Sequence, residues 1–515
     1  MRLFLLILIS VLSINIHAQR LNPTVNLLGQ FDPPTSDLPS SSGVQFNDVW
    51  GYTSPAGSEI AILGNVQFVV FLDVTDPTNP TEIHRHAPGG ISWWRDFKTY
   101  KQYAYGVCDQ SSSCAEGLQI YDLGNLDCTG EIINLGRVTS EFTRAHNIFI
   151  DEPNHRLYAV GVTIGNTDLY VYDLEPDPTN PVLLASVDFA SIISSNQSYY
   201  VHDIYVRDNI AYASHGSRGF FIWDMNDLSN PNATPANGGS IDLLANDNYV
   251  GYNHSSWVTE DGLHAINAEE SFGQELISVD ISQMASGNIF DVAMFSHTLE
   301  QNTNERPTAH NPFIRNDFLY ISYYEDGFKV FNYSDPTSPS LHGSYDTYPD
   351  NFEDYTGTEG AWGCYPFFPS GNVLISDIEY GLHVFEVTGQ ETCADGILNQ
   401  DETAVDCGGK YCLPCDTCFD GIKNQDETGV DCGGSVCCAI CPPPPLNCDD
   451  ISLDITTDIT TDRDEYYADF VQTSGTVSQQ SSTDVKFHAQ NYLELNSGFE
   501  VIQGAQLLLT IEDCL

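Results

Sequence analysis

Four histidines recur at a near-constant interval: His146, His202, His254 and His310, separated by 56, 52 and 56 residues and set in the local contexts AHN, VHD, NHS and AHN. The series extends to Trp94 and Trp362 at 52 residues on either side, and to Trp50 44 residues before Trp94. Imidazole is the commonest protein ligand for zinc, iron or manganese, and ligands from separate rigid strands can converge on one ion. A shared position in a repeated unit is what such convergence requires. Polar and acidic residues cluster at a second recurring position: Asp109, His215, Glu269, Glu270, Glu325, Asp326, Asp377 and Glu379. Of these, Glu269, Glu325 and Asp377 are the candidates to orient imidazoles by accepting their second N–H.

A second set of donors lies near the C-terminal end of the repeats. Asp395, Asn399, Asp401, Glu402 and Asp406 recur as Asp420, Asn424, Asp426, Glu427 and Asp431. Calcium takes six to eight such oxygens, so each loop is a candidate calcium site. The spacing is not that of an EF-hand, and a hydrogen-bonded, solvated turn is the competing expectation.

Cysteine is the third chemistry. Eleven of the fifteen cysteines follow residue 390, in the duplicated segment CADGILNQDETAVDCGGKYCLPC and CFDGIKNQDETGVDCGGSVCCAIC. In an exported chain such spacing means disulfides, whereas in a reducing compartment Cys412-x-x-Cys415 would suggest zinc. Disulfides are therefore expected among Cys393, Cys407, Cys412, Cys415, Cys418, Cys432, Cys437 and Cys441, with pairing left open. Cys108 with Cys114 and Cys448 with Cys514 are two further candidate pairs. No G-x-S-x-G elbow, H-E-x-x-H or phosphate-binding glycine loop is present, so nucleophilic and phosphoryl chemistry gain no support.

The elements that must position these groups are strands. Residues 318–345, FLYISYYEDGFKVFNYSDPTSPSLHGSY, read as three strands joined by EDG and DPTSP turns. Second and third strands of the same kind recur as AILG/FVVFLD, YAYGV/LQIYD, LYAVG/LYVYD, AYASH/FFIWD, HAINA/LISVD, LYISY/FKVFN and VLISD/LHVFE, seven copies in all. Asp-Pro-Thr-x-Pro turns at 76–80, 177–181 and 335–339 mark strand ends, because proline cannot donate to a ladder. Seven small antiparallel sheets that cannot bury both faces alone pack radially as a β-propeller. Asn22–Phe31 matches the fourth strand of other copies, and the last copy lacks one, so the N-terminal strand is expected to complete blade seven. In that ring the histidines face the central axis, and the acidic turns open on the same end.

Residues 1–18 carry one arginine, the apolar run LFLLILISVLSI and a small residue at the close of IHA, the pattern of a signal peptide. No second apolar run of membrane-spanning length follows, so no transmembrane segment is expected. With 71 acidic against 18 basic residues the net charge is −53, which repels nucleic acid and anionic lipid. The expected organisation is a signal peptide (1–18), a seven-bladed propeller (19–388), duplicated Cys-rich repeats (389–441), a Pro-rich linker (442–447) and a small β-stack module (448–515). The fold class is all-β.

Third strands such as LYVYD and LISVD make the propeller resemble the LVIVD-repeat proteins of bacterial cell surfaces, the choice-of-anchor B group. The DGIxNQDETxVDCGG duplication resembles a Cys-rich repeat of secreted proteins from marine and gliding bacteria. The segment GFEVIQGAQLLLTI is similar to a three-coathanger stack domain. The resemblance implies a secreted or surface-attached propeller, with activity open. Two functions follow as expectations: a module that binds a protein or glycan at the cell surface, or an extracellular metal-dependent enzyme, oxygenase- or lyase-like, centred on the four histidines. A structural role for the histidines, like that of WD-repeat histidines bonded to a hairpin Asp, is the competing reading.

Overall fold

The computed structural model describes residues 24–33, 45–110, 114–248, 251–299, 307–349, 358–393, 395–399 and 401–415, with the backbone of six strands between 452 and 511. The chain divides into two compact units, with the boundary between Thr417 and Cys418.

The first unit is a seven-bladed β-propeller. Its inner strands are Phe46–Thr53, Arg95–Tyr100, Asn147–Asp151, Asp203–Arg207, Asn253–Val258, Pro312–Arg315 and Ala361–Tyr365. Each opens a four-stranded antiparallel sheet, and in blades one to six the strands follow one another in chain order outward. Blade six, for example, continues through Phe318–Ser322, Phe328–Asn332 and Ser340–Tyr345. Second and third strands are buried along nearly their whole length, because each lies between two neighbouring blades. Their β-branched and aromatic content suits that double burial.

Blade seven is closed from the other end of the chain. Val25–Phe31 pairs antiparallel with Gly381–Val387, Val25 opposite Val387 and Phe31 opposite Leu382. Val25 is 3% exposed and packs with Phe385, Val387 and Phe318. Ring closure gives the third strand of blade seven an outer partner, so its edge is not left open to solvent. In most blades the third-to-fourth ladder slips by one residue, as at Val330/Phe331 and Ser278/Val279, the bulge that lets the outer strand twist away.

The first Cys-rich copy belongs to this unit and packs against the propeller. Cys393 is joined to Cys412 and Cys407 to Cys415. Tyr411, 7% exposed, stacks on Phe367 with ring centroids 6.0 Å apart and planes 4° from parallel. The Arg315 guanidinium lies 4.9 Å from the Tyr411 ring centroid, and Lys410 pairs with Glu260 at 2.9 Å. A tract without a core of its own is thus held by two disulfides and a borrowed aromatic contact.

In the second unit, Ser452–Ile455, Glu465–Thr473, Asp484–Glu494 and Gln506–Ile511 form a sheet in chain order with every pair parallel. Val477–Gln479 and Phe499–Val501 form a second parallel pair. Parallel pairing of successive strands requires the chain to coil back between them, a solenoid-like arrangement. Among the described residues no helix is long and apolar enough to cross a membrane.

Candidate metal centre

The first residues of the inner strands meet at one end of the propeller axis, hereafter the upper end. Trp94, His146, His202, His254, His310 and Trp362 stand in consecutive ring contact, with centroids 6.4, 4.2, 4.4, 4.1 and 4.4 Å apart. Residues 52 to 56 positions apart in sequence become neighbours because each begins the strand nearest the axis.

Backbone ladders hold the four histidines in place. The N–H groups of His146, His202 and His310 donate to Val160 O, Ser214 O and Ser322 O of their own second strands, at 2.9, 2.8 and 3.0 Å. His254 sits in a bulge: Asn253 pairs with Glu269 and Ser255 with Ala268, leaving His254 without an opposite residue. Bulges re-aim side chains in this way.

Trp50 departs from the expected alignment. Its ring lies 6.1 Å from Phe313 and 5.0 Å from Tyr365, at the lower end of the axis. The other blades place such a residue three positions after the histidine, as in His146/Phe149, His202/Tyr205, His254/Trp257 and His310/Phe313. By the same spacing Asn47, not Trp50, takes the upper position in blade one. A register slip between Phe46 and Val49 accounts for the offset.

Hydrogen bonds orient the imidazoles. His310 Nδ1–H donates to Trp362 O at 2.7 Å, which leaves its Nε2 as the lone-pair nitrogen. His202 Nδ1 bonds the Tyr252 hydroxyl at 2.8 Å, and His146 Nδ1 lies 3.1 Å from Asp109 Oδ2. His202 Nε2 and His254 Nδ1 are buried without a hydrogen-bond partner. One ligating atom from each of His202, His254 and Glu270 lies within 4.8 Å of the others, and His254 Nε2 is 3.8 Å from Glu270 Oε2. The Tyr324 hydroxyl donates to Glu270 Oε1 at 2.5 Å and fixes the carboxylate.

Burial, followed by repulsion from the neighbouring imidazoles, holds His202 well below the ordinary histidine range. His310 is held down by burial and by His254. Burial and His146 push His254 down to about 3. All three are therefore neutral at pH 7, with lone pairs available. Neutral imidazoles beside a carboxylate form a borderline donor set suited to zinc, iron or manganese. Three protein donors leave coordination positions open, the pattern of reactive rather than purely structural metal sites.

The acidic turns divide their roles. Glu270 approaches the hub, while Glu269 turns into its blade, where Oε1 accepts from Asn253 Nδ2 at 3.1 Å and burial pushes its carboxyl up to about 7. Adjacent residues at a strand end point to opposite faces. Asp377 Oδ1 accepts from the N–H groups of Glu379 and Tyr380 at 3.0 and 2.9 Å, within its own turn. Glu325 is buried beside Tyr324 in the next turn. His215 is built into blade four, with Nδ1 near Tyr199 O at 2.9 Å and Nε2 accepting from Trp223 Nε1 at 3.3 Å. Tyr252 and Tyr324 are hub residues that repeat spacing did not reveal. The pattern Tyr-x-His, at Tyr200/His202 and Tyr252/His254, is the signal that could have found the first.

Cys108 and Cys114 are joined across their turn. Cys364 is a buried free thiol. In the first Cys-rich copy the oxygen donors serve the loop itself. Asp395 Oδ2 accepts from Asn399 Nδ2 at 2.9 Å, Asp406 Oδ1 from Gly396 N at 2.8 Å, and Glu402 Oε2 from Asp406 N at 3.1 Å. Asp401 and Asp406 adopt φ of 60° and 59°, the left-handed region that Asp tolerates in turns. Asp420, Asn424, Asp426, Asp431 and the cysteines Cys418, Cys432, Cys437, Cys441, Cys448 and Cys514 lie outside the described residues.

The lower end of the axis is filled by aromatic rings. Trp257 lies 4.3 Å from Tyr205, 4.9 Å from Phe313, 5.5 Å from Phe367 and 6.0 Å from Phe149. Lys98 Nζ sits 4.3 Å above the Trp50 ring and bonds Asp96 at 2.8 Å.

The LVIVD repeat family model matches residues 309–347, which span blade six. No curated protein matches the chain. Among solved structures, the β-propeller domain of Cps50 (Swd1) from Myceliophteria thermophila aligns at 11% identity, covering 71% of this chain and 100% of its own, with a TM-score of 0.46. A functionally unknown protein from Desulfotomaculum acetoxidans aligns at 18% identity over 59% of this chain and 86% of its own, TM-score 0.41. A protein from Lactobacillus plantarum aligns at 14% identity over 59% of this chain and 82% of its own, TM-score 0.41.

Proposed function

We propose that the protein is an exported β-propeller binding module of the choice-of-anchor B kind, whose recognition centre is a divalent transition-metal ion held at the upper hub. The ligands are His202, His254 and Glu270, with His146 and His310 beside them. The observation that carries this reading is His202 Nε2, buried and without a partner, in a cluster where two imidazoles and a carboxylate come within 4.8 Å of one another. A buried polar atom left unpaired costs roughly 1–3 kcal/mol, and a metal ion would remove that cost. The open coordination positions would then receive an oxygen or nitrogen donor of a protein or glycan partner. The leader segment, the Cys-rich copies and the terminal module fit display at a cell surface.

A second reading, an extracellular iron enzyme of the oxygenase kind, is favoured by the same ligand set, since two His and one carboxylate with open positions is the non-haem iron pattern. The test is elemental analysis of chelator-free wild-type protein beside His202→Ala/His254→Ala. About one equivalent of zinc, iron or manganese in the wild type and none in the variant is expected for a three-donor site. Failure of any of these metals to bind at micromolar concentration, or equal retention by the variant, would overturn the reading. Iron with oxygen uptake selects the enzyme; metal without turnover selects the binding module.

A further inference from the structure

We propose that the cavity at the lower end of the propeller axis is a binding site for a neutral oligosaccharide, and that the first Cys-rich copy forms one of its walls. The inference shares only the binding-module reading with the proposed function, and no metal takes part in it.

The cavity encloses about 1030 Å³ and lies at the opposite end of the axis from the histidines. That is the upper size range of small-ligand sites, enough for several sugar rings. Its inner surface carries Trp50, Phe149, Tyr205, Trp257 and Phe367, five of the rings that plug the axis. Trp50, Phe149, Trp257 and Phe367 are each only partly buried, so ring surface faces the cavity. Exposed aromatic faces of this kind pack against the apolar C–H faces of sugar rings while leaving hydroxyls at the edges.

Charge separates a saccharide from an anion or a cation. The whole chain has 71 acidic residues to 18 basic. The cavity lining has near-parity: Lys98, Lys101, Arg207 and Lys410 against Asp151, Glu152, Asp208, Glu260 and Asp401. Several of these cations are already engaged. Lys98 is paired with Asp96 at 2.8 Å and Lys410 with Glu260 at 2.9 Å. Arg207 donates to Thr259 O at 2.9 Å and Glu260 O at 2.6 Å. Charges engaged in this way attract a free ion less strongly, and they offer donors and acceptors in fixed positions to hydroxyl groups.

The Cys-rich copy contributes Asp401 and the run Lys410–Pro414 to the lining. Cys393–Cys412 and Cys407–Cys415 hold that run in place, and Tyr411 seats it on Phe367. The site is therefore complete only in the oxidised protein.

The experiment is calorimetric titration of the full chain with cellohexaose, xylohexaose and mannohexaose. At least one should bind with a Kd below about 1 mM. Trp257→Ala and Tyr411→Ala should each weaken binding about tenfold, equivalent to about 1.4 kcal/mol. Reduction of the disulfides should weaken it similarly, whereas EDTA should leave it unchanged. Tyr411 lies outside the blades, so Tyr411→Ala decides the matter if Trp257→Ala does not fold. No binding of any of the three sugars, or binding that survives Tyr411→Ala at full strength, would overturn the inference. Sugar binding lost on chelation would move the site to the upper hub; sugar binding without metal binding would leave this proposal standing and the metal reading refuted.

Discussion

Metal binding at the upper hub should appear as heat stability. A ligand that binds only the folded state stabilises it by RT ln(1 + [L]/Kd), about 2.7 kcal/mol at a hundredfold excess over Kd. The propeller runs from Val25 to Val387. At about 2.1 cal/mol/K of unfolding entropy per residue, its roughly 360 residues give about 0.76 kcal/mol/K. Zinc at that excess should therefore raise the melting midpoint of EDTA-dialysed protein by about 3.5 °C. Glu270→Gln keeps the shape and the Tyr324 contact but removes the anionic ligand. If affinity falls about tenfold, the same zinc concentration stabilises by about 1.4 kcal/mol and the shift drops to about 2 °C. His202→Ala/His254→Ala, lacking both imidazoles, should not respond to zinc. Differential scanning calorimetry at fixed protein concentration reads all three. No shift in the wild type, or an equal shift in the double-alanine variant, would refute the assignment of the ligands.

Two further outcomes test how the scaffold holds its buried charges. The Arg95 guanidinium, with a side-chain exposure of 0%, donates to Asn65 O at 2.9 Å and to Glu116 at 2.6 Å, tying blade two to blade one. Arg95→Met strands the Glu116 carboxylate and should cost about 3–5 kcal/mol, read as a drop of about 5 °C in melting midpoint. Arg95→Met/Glu116→Gln should recover more than half of it, and a single-variant loss under about 1 °C would count against the network. The Asp377 carboxyl is pushed up from 3.8 to about 7, chiefly by burial. Between those values the folded protein retains a proton that the unfolded chain has released, so stability falls as pH rises through that window and is unaffected below it. Asp377→Asn supplies a neutral side chain that can still accept from Glu379 N and Tyr380 N. It should melt up to about 5 °C above the wild type at pH 8 and level with it at pH 4, and an equal midpoint at pH 8 would contradict the burial argument.

Much of this molecule is readable from the chain alone. Repetition of second and third strands determined seven blades, because period-two alternation and turn residues encode a local ladder that each copy forms in the same way. The likeness of Asn22–Phe31 to other fourth strands determined ring closure, and the 52 and 56 residue intervals brought four imidazoles to one axis. Tertiary structure decided the rest. A slip at Asn47–Asp48 moved Trp50 to the lower end of the axis, and the phase of one strand end brought Glu270, not Glu269, to His254. Docking of Tyr411 on Phe367 made the first Cys-rich repeat into the wall of a cavity. The physical reason is common to all three. Spacing in sequence specifies which backbone groups pair, but a one-residue bulge reverses the face a side chain presents, and contact between distant segments depends on surfaces that exist only after the ring has closed.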